Sequence, residues 1–176
     1  CLRFVPWQAP KGQALPGRPY SLLVSRDGTL WIGTFNGLAS WNGVDLTRYP
    51  RTDIGFVSSL LEDRDGTIWA GLFADPGQLC AVRAGQARCS VPDGGFGGFV
   101  WSLGEDASGS LWVGAESGVW QWTPGTPRRL AMPGMRVGDL STTVDGKILV
   151  GVRGAGLRQV DGDRLGPDRF AAFFLL

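Results

Sequence analysis

Four stretches of the chain share one alternation of polar and apolar positions. "SRDGTLWIG", "DRDGTIWAG", "DASGSLWVG" and "TVDGKILVG" each pass from a polar turn into a run that is apolar at consecutive positions. Their turn glycines are Gly28, Gly66, Gly109 and Gly146, spaced by 38, 43 and 37 residues. A leucine (Leu22, Leu60, Leu103 or Leu140) precedes every turn at the same distance. Gly37-Leu38, Gly118-Val119 and Gly156-Leu157 follow in register, and the second unit supplies Gly77 and Leu79 with one residue inserted. A period near forty predicts a repeat architecture. Each unit reads as four short strands. The second has "VSSLLED", a turn at Arg64–Gly66, "TIWAGLF", a loop through Pro76-Gly77, "LCAVRA", a turn and "ARCSVP". Asp-Gly between two apolar runs is a strong hairpin signal.

The second strand of each unit carries most of the information. Side chains alternate between the two faces of a strand. One face holds Leu30 and Ile32, Ile68 and Ala70, Leu111 and Val113, or Ile148 and Val150. The other holds Trp31 and Gly33, Trp69 and Gly71, Trp112 and Gly114, or Leu149 and Gly151. Both faces are apolar, so the strand is covered on both sides. A small antiparallel sheet meets that demand when sheets stack face to face around an axis. The indole then fills the space between sheets, and the glycine makes room for a side chain of the next one. This predicts an all-β β-propeller of about four blades, each of four antiparallel strands. Residues 1–176 are read as a single propeller unit with repeats at approximately 17–50, 57–92, 99–131 and 136–166.

Composition narrows the function. The chain has 176 residues, a net charge of +1, and no lysine/arginine cluster beyond Arg128-Arg129. A nucleic-acid partner would need an electropositive stripe. The longest apolar run, "FAAFFLL" at 170–176, is too short to span a bilayer and fits no repeat position. Histidine is absent. That removes the usual general base and the commonest metal ligand.

"SRDGTLWIGTFNGLASWNG", "EDRDGTIWAG" and "EDASGSLWVGAESGVWQW" resemble the two-component regulator propeller repeat, and the fourth unit departs from it at Leu149. The resemblance covers about residues 17–166. It implies an extracytoplasmic or periplasmic sensory propeller of a histidine kinase or hybrid two-component regulator, in which ligands such as oligosaccharides are sensed without catalysis. Such propellers have about seven blades. Four therefore imply a segment of a larger ring, with "CLRFVPW" at the start as the outer strand of a preceding blade. Closure as a four-bladed ring is the rival reading, and two copies joining through their end blades is a third arrangement.

Cys80 and Cys89 flank "AVRAGQAR". With Ala84-Gly85 as a two-residue loop they fall opposite each other as a non-hydrogen-bonded pair, with Cα atoms about 4.5 Å apart. That spacing is at the short end of the disulfide range. Two small buried thiols are the competing account. Cys1 is read as a trimmed start rather than a lipid attachment point.

The recurring Asp27, Asp65 and Asp145 read as turn-capping residues, one blade apart and too distant to share an ion. No metal or other cofactor is expected. Glu62-Asp63 and Glu105-Asp106 read as solvated strand ends, since neighbours on a strand face opposite ways. "GGFGGF" at 94–99 precedes a strand, whereas a phosphate loop opens a helix. The remaining candidates are loop aromatics with nearby arginines: Arg18, Tyr20, Arg51, Phe56, Phe99, Trp101 and Arg136. Ring plates and guanidinium groups suit a sugar or another small ligand; packing between blades is the competing account. Three functions follow: a non-catalytic sensory or ligand-binding propeller, a self-associating or protein-binding module, and a propeller lyase or glycosidase. The missing histidine weighs against the last.

Overall fold

The computed structural model describes residues 5, 7–9, 11–53, 55–122, 127–130, 136–162 and 164–167, and the Arg136 side chain lies outside that set. The stretch at 170–176 and most of "CLRFVPW" lie outside it too. Sixteen strands form four sheets of four, each in simple sequence order. Blade 1 holds β1 (Pro19–Val24), β2 (Leu30–Thr34), β3 (Gly37–Trp41) and β4 (Leu46–Tyr49). Blade 2 holds β5 (Phe56–Glu62), β6 (Ile68–Phe73), β7 (Gln78–Arg83) and β8 (Gln86–Ser90). Blade 3 holds β9 (Val100–Glu105), β10 (Leu111–Ala115), β11 (Gly118–Trp122) and β12 (Arg128–Arg129). Blade 4 holds β13 (Arg136–Thr142), β14 (Ile148–Arg153), β15 (Gly156–Asp161) and β16 (Arg164–Leu165). The first strands lie against one another in turn, β1 on β5, β5 on β9 and β9 on β13.

The repeated glycine receives a valine of the next blade. A Cβ added at Gly33 would meet Val57 Cγ1 at 2.8 Å, one at Gly71 would meet Val100 Cγ1 at 2.5 Å, and one at Gly114 would meet Val137 Cγ1 at 3.0 Å. The three valines are 0–4% exposed. Each tryptophan fills the layer beside this contact. Trp31 packs with Leu38, Val57, Ala70 and Cys80 between blades 1 and 2, and it stacks on Tyr49 with centroids 5.3 Å apart. Trp69 borders the layer that holds Val100, Leu111 and Val113. Trp112 packs with Val137, Leu140 and Val150.

The indole edges are pinned to the turns. Trp69 Nε1 donates to Asp63 Oδ2 at 2.7 Å, and Trp112 Nε1 donates to Asp106 Oδ2 at 2.7 Å. Trp31 Nε1 donates to Ser25 Oγ at 3.0 Å. The other carboxylate oxygen of Asp63 accepts the Asp65 and Thr67 amides, and that of Asp106 accepts the Ser108 and Ser110 amides. Thus in blades 2 and 3 the turn is capped from two residues earlier than the position of Asp65 and Ser108. Only in blade 1 does Asp27 itself accept the Thr29 amide. In blade 4 Thr143 Oγ1 takes the Lys147 amide, and Leu149 needs no partner for a ring nitrogen. The turn glycines have φ of 74–87°, a region costly for other residues.

Glu62 and Glu105 are more than solvated strand ends. Glu62 holds the Arg26 guanidinium at 3.1 Å and its amide at 2.8 Å. Glu105 holds Arg64 in the same two ways, at 2.6 and 3.0 Å. The clasp joins each turn to the next blade. Between blades 3 and 4 it is absent: Ala107 and Thr142 occupy the two positions, and the Ala107 amide donates instead to Gly146 O at 3.0 Å. At the ends of the arc the same positions hold Val24, 67% exposed, and Val144, fully exposed.

Among the described residues no such packing joins blade 4 to blade 1. Around Gly151 a Cβ would meet nothing nearer than its own strand partner Asp139, at 3.7 Å. Leu22 is 66% exposed, whereas its equivalent Leu140 is 6% exposed. The four blades therefore form an open arc. Trp7 and Gln13 lie over the outer part of blade 1, through a Trp7–Trp41 edge contact and a Leu46 amide bonded to Gln13 Oε1 at 2.7 Å.

The disulfide is formed. Cys80 and Cys89 are directly paired across β7–β8 with Cα atoms 3.9 Å apart. Ala84 and Gly85 both have positive φ, 47° and 74°, as a tight two-residue hairpin requires.

Two outcomes follow. Gly71→Val should cost about 1–3 kcal/mol by overpacking, while Gly151→Val, at the same repeat position without a neighbour, should be close to neutral. Urea melts of the two variants compare them directly. The second concerns acid. Burial raises the Asp106 carboxyl, but bonds from Ser108, Trp112 and Ser110 outweigh it and hold the group below its ordinary 3.8. Asp145 is held down to about 2 by Lys147 and Thr143. Both bind fewer protons folded than unfolded, so their contribution is present above about pH 4 and is lost as pH falls through the lowered values. The melting temperature should stay level from neutral pH to about pH 5 and drop below about pH 4. Asp106→Asn, which cannot titrate, should make that drop shallower.

Candidate functional site

The first strand of each blade departs from regular pairing at one place. Register shifts fall between Pro19 and Ser21, between Val57 and Ser59, at Val100–Ser102, and between Val137 and Asp139. Each inserts one residue: Tyr20, Ser58, Trp101 or Gly138. A bulge bends the strand and re-aims its side chain. Here it turns two aromatic rings outward near the upper face, the face on which the β2–β3 and β4–β5 connections lie. Tyr20 is 62% exposed and Trp101 41%.

These rings are not isolated. Tyr20 meets Phe56 edge-on at 4.5 Å, and Phe56 stacks on Phe35 at 4.8 Å with planes 13° apart. A second group is a three-ring stack. Phe73 lies on Phe99 at 3.8 Å, and Phe99 lies on Trp101 at 4.2 Å, with planes within 11°. The two groups meet where Phe56 pairs with Phe73 across β5–β6. Between them is a cleft of about 790 Å³ lined by Phe35, Gly55, Phe56, Phe73, Ala74, Asp75, Gly98 and Phe99. That size suits a small organic ligand. The walls come from three blades, so the site exists only because the sheets are stacked.

The loops that build it are anchored from below. Phe96, the inner aromatic of "GGFGGF", is fully buried and packs edge-on against Trp120 at 5.6 Å. The loop therefore has a core anchor. The Gly97 carbonyl accepts the Gly77 amide at 2.6 Å, the Gly98 carbonyl accepts the Ala74 amide at 3.2 Å, and Glu116 Oε2 accepts the Gly98 amide at 2.7 Å.

Of the residues singled out from sequence, Tyr20, Phe56, Phe99 and Trp101 come together in this aromatic surface. Arg18 lies at its edge, where its carbonyl accepts the Phe35 amide at 3.1 Å. Arg51 sits elsewhere, in the 3₁₀ turn Pro50–Thr52. It lines an outer groove with Arg48 and the length of β8. Arg136 opens β13, and its side chain is outside the described residues. Phe35 and Phe73 are additions that the sequence reading missed. Both stand two residues after the repeated glycine, a position that varies as Phe35, Phe73, Glu116 and Arg153. That variability within an otherwise apolar strand was the available signal. Among the described residues no group of three or more potential metal ligands is assembled, and no helix is long and apolar enough to cross a membrane.

Comparison with known proteins agrees with this architecture. The extracellular domain of BT4673 from B. thetaiotaomicron, described as a hybrid two component system, superposes with a TM-score of 0.69 at 23% identity, over 89% of this chain and 22% of that one. Virginiamycin B lyase from Staphylococcus aureus gives 0.71 at 18% identity, over 90% and 58%. PorZ, a bacterial surface component of the type-IX secretion system of Porphyromonas gingivalis, gives 0.67 at 13% identity, over 92% and 28%. These likenesses establish the propeller fold, and the chain spans about a fifth of the length of the BT4673 domain. Among curated proteins none is similar enough to count as a relative. The two component regulator propeller model matches residues 15–36 and 53–73, the opening halves of blades 1 and 2. The described residues of this chain are thus an arc of four β-propeller blades, two of which match the two component regulator propeller model over their opening halves.

Proposed function

We propose that the chain is a non-catalytic, ligand-binding stretch of an extracytoplasmic sensor, that it belongs to a larger ring, and that its ligand occupies the aromatic cleft. The observation that carries this reading is the exposed six-ring surface on the upper face, held on a rigid scaffold. Soluble proteins rarely leave such a patch uncovered without a use for it. The BT4673 neighbour is an extracellular domain, and a disulfide suits an oxidising compartment. The likeness to the lyase neighbours is a likeness of fold. The acids that could serve chemistry on the lower face are committed, Asp63 and Asp106 to indoles and turns, Glu62 and Glu105 to arginines. The test is thermal-shift screening of the chain against oligosaccharides and small organic ions. A true ligand should raise the melting temperature of the native chain and lose that effect in Phe35→Ala, which removes a half-exposed wall of the cleft and whose own melting temperature stays within about 2 °C of native. Stabilisation that survives Phe35→Ala would place the ligand elsewhere.

A second reading, self-association, is favoured by a specific pairing. If blade 4 of one copy receives blade 1 of another, Val144 falls opposite Val24 where the internal interfaces place Arg26 on Glu62 and Arg64 on Glu105. The Gly151 hollow would then receive Pro19, the equivalent of Val57. Both free ends thus carry an apolar residue at the clasp position. Sedimentation equilibrium decides it. Val24→Glu or Val144→Arg alone should weaken a head-to-tail dimer, and the two together, which recreate the internal clasp, should restore it. A native chain that stays monomeric at about 100 μM would refute this reading.

A further inference from the structure

The chemistry lining the cleft has one sign. Resting on the reading that this cleft is the ligand site, we propose that it takes an organic cation, an alkylated ammonium group alone or at the end of a longer ligand. Among the described residues, four of the eight that line it are phenylalanines, the one ionisable side chain is Asp75, and no lysine, arginine, hydroxyl or amide side chain is present. Glu116 stands next to the cleft and binds the Gly98 amide through one carboxylate oxygen at 2.7 Å. Its charge adds to that of Asp75.

The faces of aromatic rings carry negative potential, and a cation placed over them is attracted without a directional hydrogen bond. Phe99 is sandwiched between Phe73 and Trp101. Phe73 thus ends one stack, opposite the Phe35–Phe56 pair. The cleft lies between these two ring groups, with a carboxylate at its wall.

A neutral sugar asks for something different. Its hydroxyls need several convergent donors and acceptors. Four main-chain amides at and beside this cleft are already taken by main-chain carbonyls. The Phe35 amide is bonded to Arg18 O, Ala74 to Gly98 O, Gly77 to Gly97 O and Glu116 to Phe99 O. The arginines that could have oriented polar groups are not in its lining. An anion would meet Asp75 and Glu116. Alkylammonium, with a low hydrogen-bonding demand and a positive charge, is the class that fits.

Choline and its uncharged carbon isostere, 3,3-dimethylbutan-1-ol, are the probes, titrated into the 176-residue chain by calorimetry. Choline should bind at least about tenfold more tightly than the alcohol. Asp75→Asn should weaken choline about five- to tenfold and leave the alcohol unchanged, and Phe73→Leu should weaken both. Circular-dichroism melts show that the variants remain folded. Equal affinities for the two probes, or a choline affinity indifferent to Asp75→Asn, would overturn the assignment. So would an oligosaccharide that binds and is lost in Phe73→Leu while choline does not bind; that result would leave the ligand-binding role of the cleft intact.

Discussion

The contact on which the molecule depends is a valine of one blade seated over a glycine of the blade before it. It recurs as Val57 on Gly33, Val100 on Gly71 and Val137 on Gly114. Without a Cβ at the glycine the two sheets approach near the axis. Farther out, the indoles of Trp31, Trp69 and Trp112 fill the widening gap. A four-stranded sheet of five-residue strands cannot bury two apolar faces by itself. Its stability lies mostly in its neighbours, as in other repeat architectures. The indole nitrogen would be a buried donor without a partner in such a layer, and the turn provides one through Asp63, Asp106 or Ser25. Packing and turn geometry are therefore one unit, and that unit is what repeats.

The same unit divides the labour between the two faces of the arc. On the lower face the aspartates hold turns and the glutamates reach back to the preceding blade, so their charge is spent on alignment. On the upper face Tyr20 and Trp101 at the bulges, and Phe35 and Phe73 two beyond the glycine, are free of that duty, whereas Ser58 at the blade 2 bulge bonds to Val100 O of the next blade. Those positions vary from blade to blade while the scaffold beneath them does not. At blades 1 to 3 they are filled by Tyr20, Phe35, Phe73 and Trp101, which join Phe56 and Phe99. At blades 3 and 4 the second position becomes Glu116 and then Arg153. A rigid frame with variable rim residues is how repeat folds present a binding surface.

The ends of the arc show what each interface contributes. At blade 1 the knob side is exposed, with Leu22 and Val24 facing solvent, and at blade 4 the hole side is open around Gly151. The clasp is polar at the first two internal interfaces, small at the third and apolar at both ends. An ion pair at these half-exposed positions adds little energy.

Much of this was written in the local sequence. The period of the turn glycines, the alternation along β2, β6, β10 and β14, and the two apolar faces of each declared stacked four-stranded sheets. The hairpin "AVRAGQAR" placed Cys80 opposite Cys89. These features are local because strand faces and hairpin register depend on residues a few positions apart. What only the tertiary structure decided is what comes from different blades. The sequence could not tell that Phe35 and Phe73 close a cleft with Phe56 and Phe99, or that Arg51 lies in another groove. Nor could it tell that Glu62 and Glu105 serve the preceding blade. Curvature of the stack about its axis sets those meetings, and no alternation along a single strand encodes it.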